Sequence, residues 1–226
     1  MNLQVFSSQL DFIIASVARV LDVCKKDGQV YIAVSGGSTP RPLYEALATN
    51  SSIDFERIEW YLVDERYVSL EHMDSNYKMI MEAFGAAQPE FSEHFHFFNT
   101  ALMPEEAARA YEEELKKIPE RKFDLVFLGL GIDGHTASLF PGSPTLHEEE
   151  RLATDTVNES FPSSAVRDRL TITWPMILGS REVVMLVSGK EKQGIIDELE
   201  KSNKTFEELP AKKLIERSNF SLLYLA

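Results

Sequence analysis

Five short apolar runs, at residues 30–34, 58–63, 123–128, 183–188 and 221–225, constrain this chain more than any other feature. They are rich in branched and aromatic side chains and nearly continuous rather than alternating, the pattern of strands buried on both faces. Weaker candidates lie at 94–98 and 170–173. Helical patterns fall between them, at 42–48, 76–84, 104–117 and 191–201. An earlier amphipathic helix places Leu10, Ile13, Ile14, Val17, Ala18 and Leu21 on one face, with Ser8 and Asp11 at capping-box-like spacing and an end near Gly28. Such alternation predicts an α/β fold: a Rossmann-like, mainly parallel open sheet with helices on both faces. A chain of 226 residues can bury one sizeable core, so residues 1–226 read as a single domain. Glu148, Glu149 and Glu150, and the polar stretch 155–164, read as surface loops, the second at the edge of the site.

Charge narrows the choice of partner. A net charge of −13 disfavours a nucleic-acid or anionic-membrane surface, both of which require a basic face. An anionic small molecule would then need a local cationic pocket. The lone Cys24 excludes an internal disulfide and a multi-cysteine metal site, which fits a reducing, cytoplasmic setting. Residues 12–21 are fairly apolar, but no basic region precedes them and Asp11, Arg19 and Asp22 interrupt the stretch, so it does not read as a signal sequence. No apolar run is long enough to span a bilayer.

Chemistry gathers behind the predicted strands. After 123–128 come Gly129, Leu130, Gly131, Ile132, Asp133, Gly134 and His135, which set a carboxylate and an imidazole two residues apart at the sheet edge where open α/β folds bind ligands. After 30–34 come Ser35, Gly36, Gly37, Ser38, Thr39 and Pro40, then a helical pattern. Two glycines, hydroxyls and a helix start suit a phosphate cradle, although a plain glycine turn capped by Thr39 or a neighbouring serine has the same letters. The block is neither a Walker A loop nor a dinucleotide fingerprint, so no nucleotide is implied. After 58–63 come Asp64, Glu65, Arg66 and Tyr67; Arg66 can grip a phosphate or carboxylate, or simply belong to a salt-bridged turn. Residues 74–77 (Asp-Ser-Asn-Tyr) read first as a helix cap and second as a lining of the pocket. Arg167 and Arg169 precede the run at 170–173, while Lys190 and Lys192 open a helix, where a lysine is unfavourable unless an anion offsets it. His94 and His96 lack a third ligand for zinc, and His72 and His147 read as surface histidines, so no metal is expected.

Taken together, these blocks resemble the glucosamine-6-phosphate isomerase/6-phosphogluconolactonase family, and within it the lactonase branch. The resemblance rests on residues 35–40, 64–67, 75–77, 129–144, 169–173 and 189–192, above all on Gly131, Ile132, Asp133, Gly134, His135 and the continuation Thr-Ala-Ser-Leu-Phe-Pro. The deaminase branch continues differently after the histidine. The resemblance implies a sugar-phosphate isomerase/deaminase-type fold and hydrolysis of 6-phospho-D-glucono-1,5-lactone, with no cofactor and no metal. Its phosphate would lie among Ser35, Gly36, Gly37, Ser38, Thr39, Arg169 and Lys192, with Asp64 in the site.

The residues support that chemistry by themselves. Opening a lactone needs an activated water, a stabilised oxyanion and a proton for the leaving ring oxygen. An imidazole titrates near neutral pH, so His135 suits the role of base and then acid, with Asp133 to orient it and Arg66 or backbone N–H groups to hold the oxyanion. A lactone is an activated ester, so Ser138 is not needed as a nucleophile. The chain is expected to act on a small-molecule sugar phosphate as a monomer or weak homo-oligomer. Two other readings stay open: an amino-sugar phosphate deaminase or isomerase with Asp64 or Glu65 as base, and a non-catalytic sugar-phosphate sensor, although no segment is left for a DNA-binding helix-turn-helix.

Overall fold

The structure is a computed structural model describing residues 1–85, 87–160 and 166–226. Its centre is a seven-stranded sheet in the order β1 (Asn2–Phe6), β10 (Phe220–Leu225), β9 (Glu182–Ser188), β6 (Leu125–Leu128), β2 (Val30–Val34), β3 (Ile58–Leu62) and β5 (Phe95–His96). All of its pairings are parallel. All five strong apolar runs lie in this sheet, within a residue or two of the expected limits. Consecutive residues of β6 and β9 are buried, which requires cover on both faces. That cover comes from α1 (Gln9–Val23), α2 (Arg41–Ala48), α3 (Asn76–Gly85), α4 (Pro104–Leu115), the short α5 (Trp174–Gly179) and α6 (Gln193–Lys201). Ser8 caps α1 by accepting a hydrogen bond from the Asp11 amide (3.4 Å), but the helix stops at Cys24, short of Gly28.

A small antiparallel sheet departs from the expected architecture. It joins β4 (Asp64–Arg66), β8 (Asp168–Ile172) and β7 (Ala153–Val157) in the order β4-β8-β7. The run expected at 170–173 is therefore a strand, but of this second sheet. The expected loop at 155–164 is corrected in its first part, because residues 155–157 are the end of β7; of the rest, 161–165 lie outside the described residues. Strand pairing wins over polarity here: Ala153, Thr154 and Thr156 are buried while Asp155 is half-buried and Val157 exposed, so the strand carries no apolar alternation to mark it. Val63 bridges the two sheets, since its N–H donates to Val34 O (2.9 Å) and its carbonyl accepts from Ile172 N (2.9 Å).

An aromatic cluster under α3 anchors the β3 side of the sheet. Phe84 stacks on Phe91 at 4.3 Å between ring centroids and also meets Tyr44 and Trp60, all essentially buried. No helix among the described residues is long and apolar enough to cross a membrane.

Candidate active site

Chain order sets the site. From β2 the chain steps outward to β3 and β5, then returns to lay β6 on the other side of β2 and continues to β9 and β10. The order reverses between β2 and β6, and a crevice outside the carboxyl ends of the strands at such a point is where open α/β sheets hold ligands. A cleft of about 480 Å³ lies there, walled by residues 35–40, Asp64, Arg66, Asn76, residues 129–131, His135, Ala137 and residues 186–189, with Glu191 and Lys192. A separate cavity of about 430 Å³ near Trp60 and Phe91 contains none of these groups.

The imidazole of His135 is held firmly. Its Nδ1 lies 2.5 Å from Asp133 Oδ1, and its backbone N–H donates to the same oxygen (3.2 Å). The turn closes on itself through Gly131 N to His135 O (2.9 Å) and Gly134 N to Gly131 O (3.1 Å), while Phe140 packs on the ring at 4.9 Å. Burial works against ionisation of Asp133, but the hydrogen bond and charge of His135 outweigh it and hold the carboxyl below its usual value. An ionised carboxylate can only accept, so Nδ1 carries a proton, and in the neutral imidazole it is Nε2 that has the lone pair. Gly131 makes this possible: a Cβ there would sit 2.2 Å from His135 Nδ1 and 2.5 Å from Asp133 Oδ1.

Beside it, the 35–39 loop leads into α2, whose N-cap is Pro40 with no side-chain cap bond. Thr39 is therefore not the cap; its hydroxyl lies 2.8 Å from that of Ser188 at the end of β9. Ser35 is pinned by donating to Phe127 O (2.6 Å) and by accepting from the Tyr44 hydroxyl at its carbonyl (2.7 Å). Gly36 stands against the amide of Asn76, so closely that a Cβ on it would lie 1.9 Å from Asn76 Oδ1. That oxygen is buried without a hydrogen-bond partner.

The cationic candidates separate. Arg66 lines the cleft and its Nη1 donates to Asp74 O (2.7 Å). Lys192, at the end of a 3-10 turn before α6, lines it too and donates to Leu130 O (2.7 Å), tying that turn to the loop that carries His135. Lys190 is not in the wall. Arg169 is the register partner of Arg66 on β8; its Nη1 donates to Val166 O (2.5 Å) and Asp168 O (3.0 Å), and it stands alongside Arg66 rather than in the cleft wall. Burial and the charge of Arg66 lower its guanidinium pKa. Asp64 lines the cleft and accepts from the Ser138 hydroxyl (2.8 Å), which occupies that serine.

Two residues change weight with the fold. Asn76, read in the sequence first as part of a cap and second as pocket lining, is a wall of the cleft. Glu65, weighed as a base, has no exposed surface. Among the other histidines, His94 and His96 both contact the carboxylate of Glu59 (3.3 and 2.8 Å), His72 accepts from Asp74 N (3.1 Å), and His147 packs edge-on against Phe206.

A parallel sheet with its cleft at the reversal of strand order defines a ligand-binding α/β protein of the open-sheet kind. A family model described as glucosamine-6-phosphate isomerases/6-phosphogluconolactonase matches residues 9–223, and the chain belongs to that family. It is 41% identical over 195 residues to a 6-phosphogluconolactonase of Synechocystis sp., covering 83% of this chain and 78% of the relative. It is 38% identical over 198 residues to a probable 6-phosphogluconolactonase of Dictyostelium discoideum, covering 85% and 83%. The crystal structure of 6-phosphogluconolactonase from Thermotoga maritima superposes with a TM-score of 0.83 at 28% identity, over 99% of this chain and 98% of that one.

Proposed function

We propose that the chain hydrolyses 6-phospho-D-glucono-1,5-lactone to 6-phospho-D-gluconate, the second step of the oxidative pentose phosphate pathway, in the cytoplasm. The observation that carries this reading is the 2.5 Å contact between Asp133 and His135, which leaves the imidazole Nε2 basic at the wall of a cleft that also holds Arg66 and Lys192. The names of its relatives support the same reaction.

In this mechanism His135 Nε2 takes a proton from water as the water oxygen adds to the lactone carbonyl carbon. Asp133 stabilises the imidazolium that forms and keeps the ring aimed. Negative charge developing on the carbonyl oxygen is met by Arg66 or by N–H groups of the glycine loops. When the tetrahedral intermediate collapses, the bond from C1 to the ring oxygen breaks, and His135 returns the proton to that leaving oxygen. The substrate phosphate rests among residues 35–39 and Lys192, with Arg66 able to reach either end. No metal or cofactor takes part, and the protein works as a monomer or weak homo-oligomer.

The test is 6-phosphogluconate formation from fresh lactone, above spontaneous hydrolysis and with a chelator present, for wild type and His135→Ala. Acceleration by wild type and a loss of about 10²-fold or more in the folded variant are expected; equal rates would remove His135 from the chemistry. Asp64 in the cleft is what an amino-sugar phosphate deaminase would use as base, and ammonia release from glucosamine 6-phosphate checks that second reading.

A further inference from the structure

Glu65 stands between two cleft residues, Asp64 and Arg66, yet its carboxylate is turned into the protein and is fully buried. Oε1 accepts the backbone N–H groups of Arg66 (2.8 Å) and Asn76 (2.7 Å). Oε2 accepts the N–H of Tyr77 (2.8 Å) and the hydroxyl of Ser75 (3.0 Å). A carboxylate offers about four lone-pair sites, so these donors use its whole capacity. Glu65 is thus no base for any substrate. Burial pushes its pKa up, against the four bonds that pull it down. Two of its donors are N–H groups in the first turn of α3, which have no partner within the helix and sit at its positive end.

These bonds reach the cleft by short routes. Asn76, held at its N–H by Glu65, donates from Nδ2 to the carbonyl of Asp64 (2.7 Å). Arg66, held at its own N–H by Glu65, donates from Nη1 to the carbonyl of Asp74, next to Ser75 (2.7 Å). Both residues flanking Glu65 on β4 therefore hang on the 74–77 turn, and Glu65 ties that turn to the strand. Resting on the lactonase reading above, we infer that Glu65 is a positioning residue, whose carboxylate clamps β4 to the start of α3 and so sets the Arg66 guanidinium in the cleft.

Glu65→Gln keeps the shape but turns an N–H₂ toward backbone N–H donors that cannot become acceptors. The expected result, per folded molecule, is a fall in kcat/KM of up to about 10²-fold, the scale for misplacing a reacting group by 1 Å. The split between kcat and KM should match that of Arg66→Ala. In the Arg66→Ala background Glu65→Gln should cost less than about threefold more, because the two act through one group. Ser75→Ala, which removes one of the four donors, should show the same split more weakly and serves if Glu65→Gln does not fold. A substrate-free readout separates this inference from the lactonase reading: the side-chain Nε–H signal of Arg66 in an NMR spectrum should shift and broaden in either variant. Activity within about twofold of wild type, a fully multiplicative double variant, or an unmoved Arg66 signal would each overturn the clamp. A moved Arg66 signal in a protein whose wild type does not accelerate lactone hydrolysis would uphold the clamp and remove the lactonase reading instead.

Discussion

Gly131→Ala should disable this protein without unfolding it, because the added methyl collides with the Asp133–His135 pair and with little else. The new Cβ would start 2.2 Å from His135 Nδ1, 2.4 Å from Cε1 and 2.5 Å from Asp133 Oδ1. Ordinary contact begins at 3.4 Å, so the ring has to retreat by about 1.2 Å. Its retreat is restricted to the cleft side: Phe140 packs on the ring, and the turn is closed by hydrogen bonds between residues 131, 134 and 135. The 2.5 Å contact must open, leaving Nδ1 without its acceptor and Nε2 misaimed. A misplacement of about 1 Å costs roughly 10²-fold in rate, or about 2.7 kcal/mol of barrier. Lactone hydrolysis should therefore show kcat down by about 10²-fold with KM nearly unchanged, since the phosphate contacts lie elsewhere. Adding Asp133→Ala should cost little more, because both changes break one interaction. A folded Gly131→Ala enzyme within threefold of wild-type kcat, or a double variant whose losses multiply, would refute the reasoning.

The cleft's other end, the charged pair and the core offer further checks. Lys192→Ala should raise KM by about tenfold or more with kcat held, as for a contact made equally in ground and transition states, and steady-state kinetics at varied lactone would show it. The lowered pKa of Asp133 means that its folded-state bonds stabilise the protein fully above its ordinary value near 3.8, and that this contribution is lost as pH falls through the lower folded value. For so accessible a pair the amount is at most about 1 kcal/mol, so the melting-temperature gap between wild type and Asp133→Asn should be small and should close as pH falls from about 4 toward 3; a gap that widens over that range would contradict it. Phe84→Ala opens a hole among Tyr44, Trp60 and Phe91 and should cost about 3–5 kcal/mol, seen as a drop of roughly 10 °C in thermal melts.

Much of this was legible in the sequence where burial wrote a pattern. The core strands announced themselves because both faces of β2, β6 and β9 are covered, which forces continuous apolar runs. Strands without that constraint stayed hidden. β1 is an edge strand whose residues are half-buried or exposed, so Asn2 and Gln4 interrupt any run. β4 is three charged residues that form a strand only because β8 pairs with them. At the candidate site, the placing of His135, Arg66 and Lys192 in the cleft wall, and of Asp133 against His135, was legible from residue type and position after a strand. The inward turn of Glu65 was not, since a carboxylate among charged neighbours gives no sign of facing inward, and the lining role of Asn76 stood second because it carries the letters of an ordinary cap.

The pairing of β1 with β10 has a consequence for how the chain reaches this state. Asn2 aligns with Ser221 and Phe6 with Leu225, so β1 finds its sheet neighbour only about two hundred residues further along the chain. Until then residues 2–6 have no sheet to join, and ordering them early would mean closing a loop of more than two hundred residues. Synthesis should thus leave the β2, β3 and β6 region free to organise while β1 waits, and the sheet gains this outer edge only once β10 has been made. A chain stalled before residue 220 would display that unpaired strand, a ready substrate for chaperones.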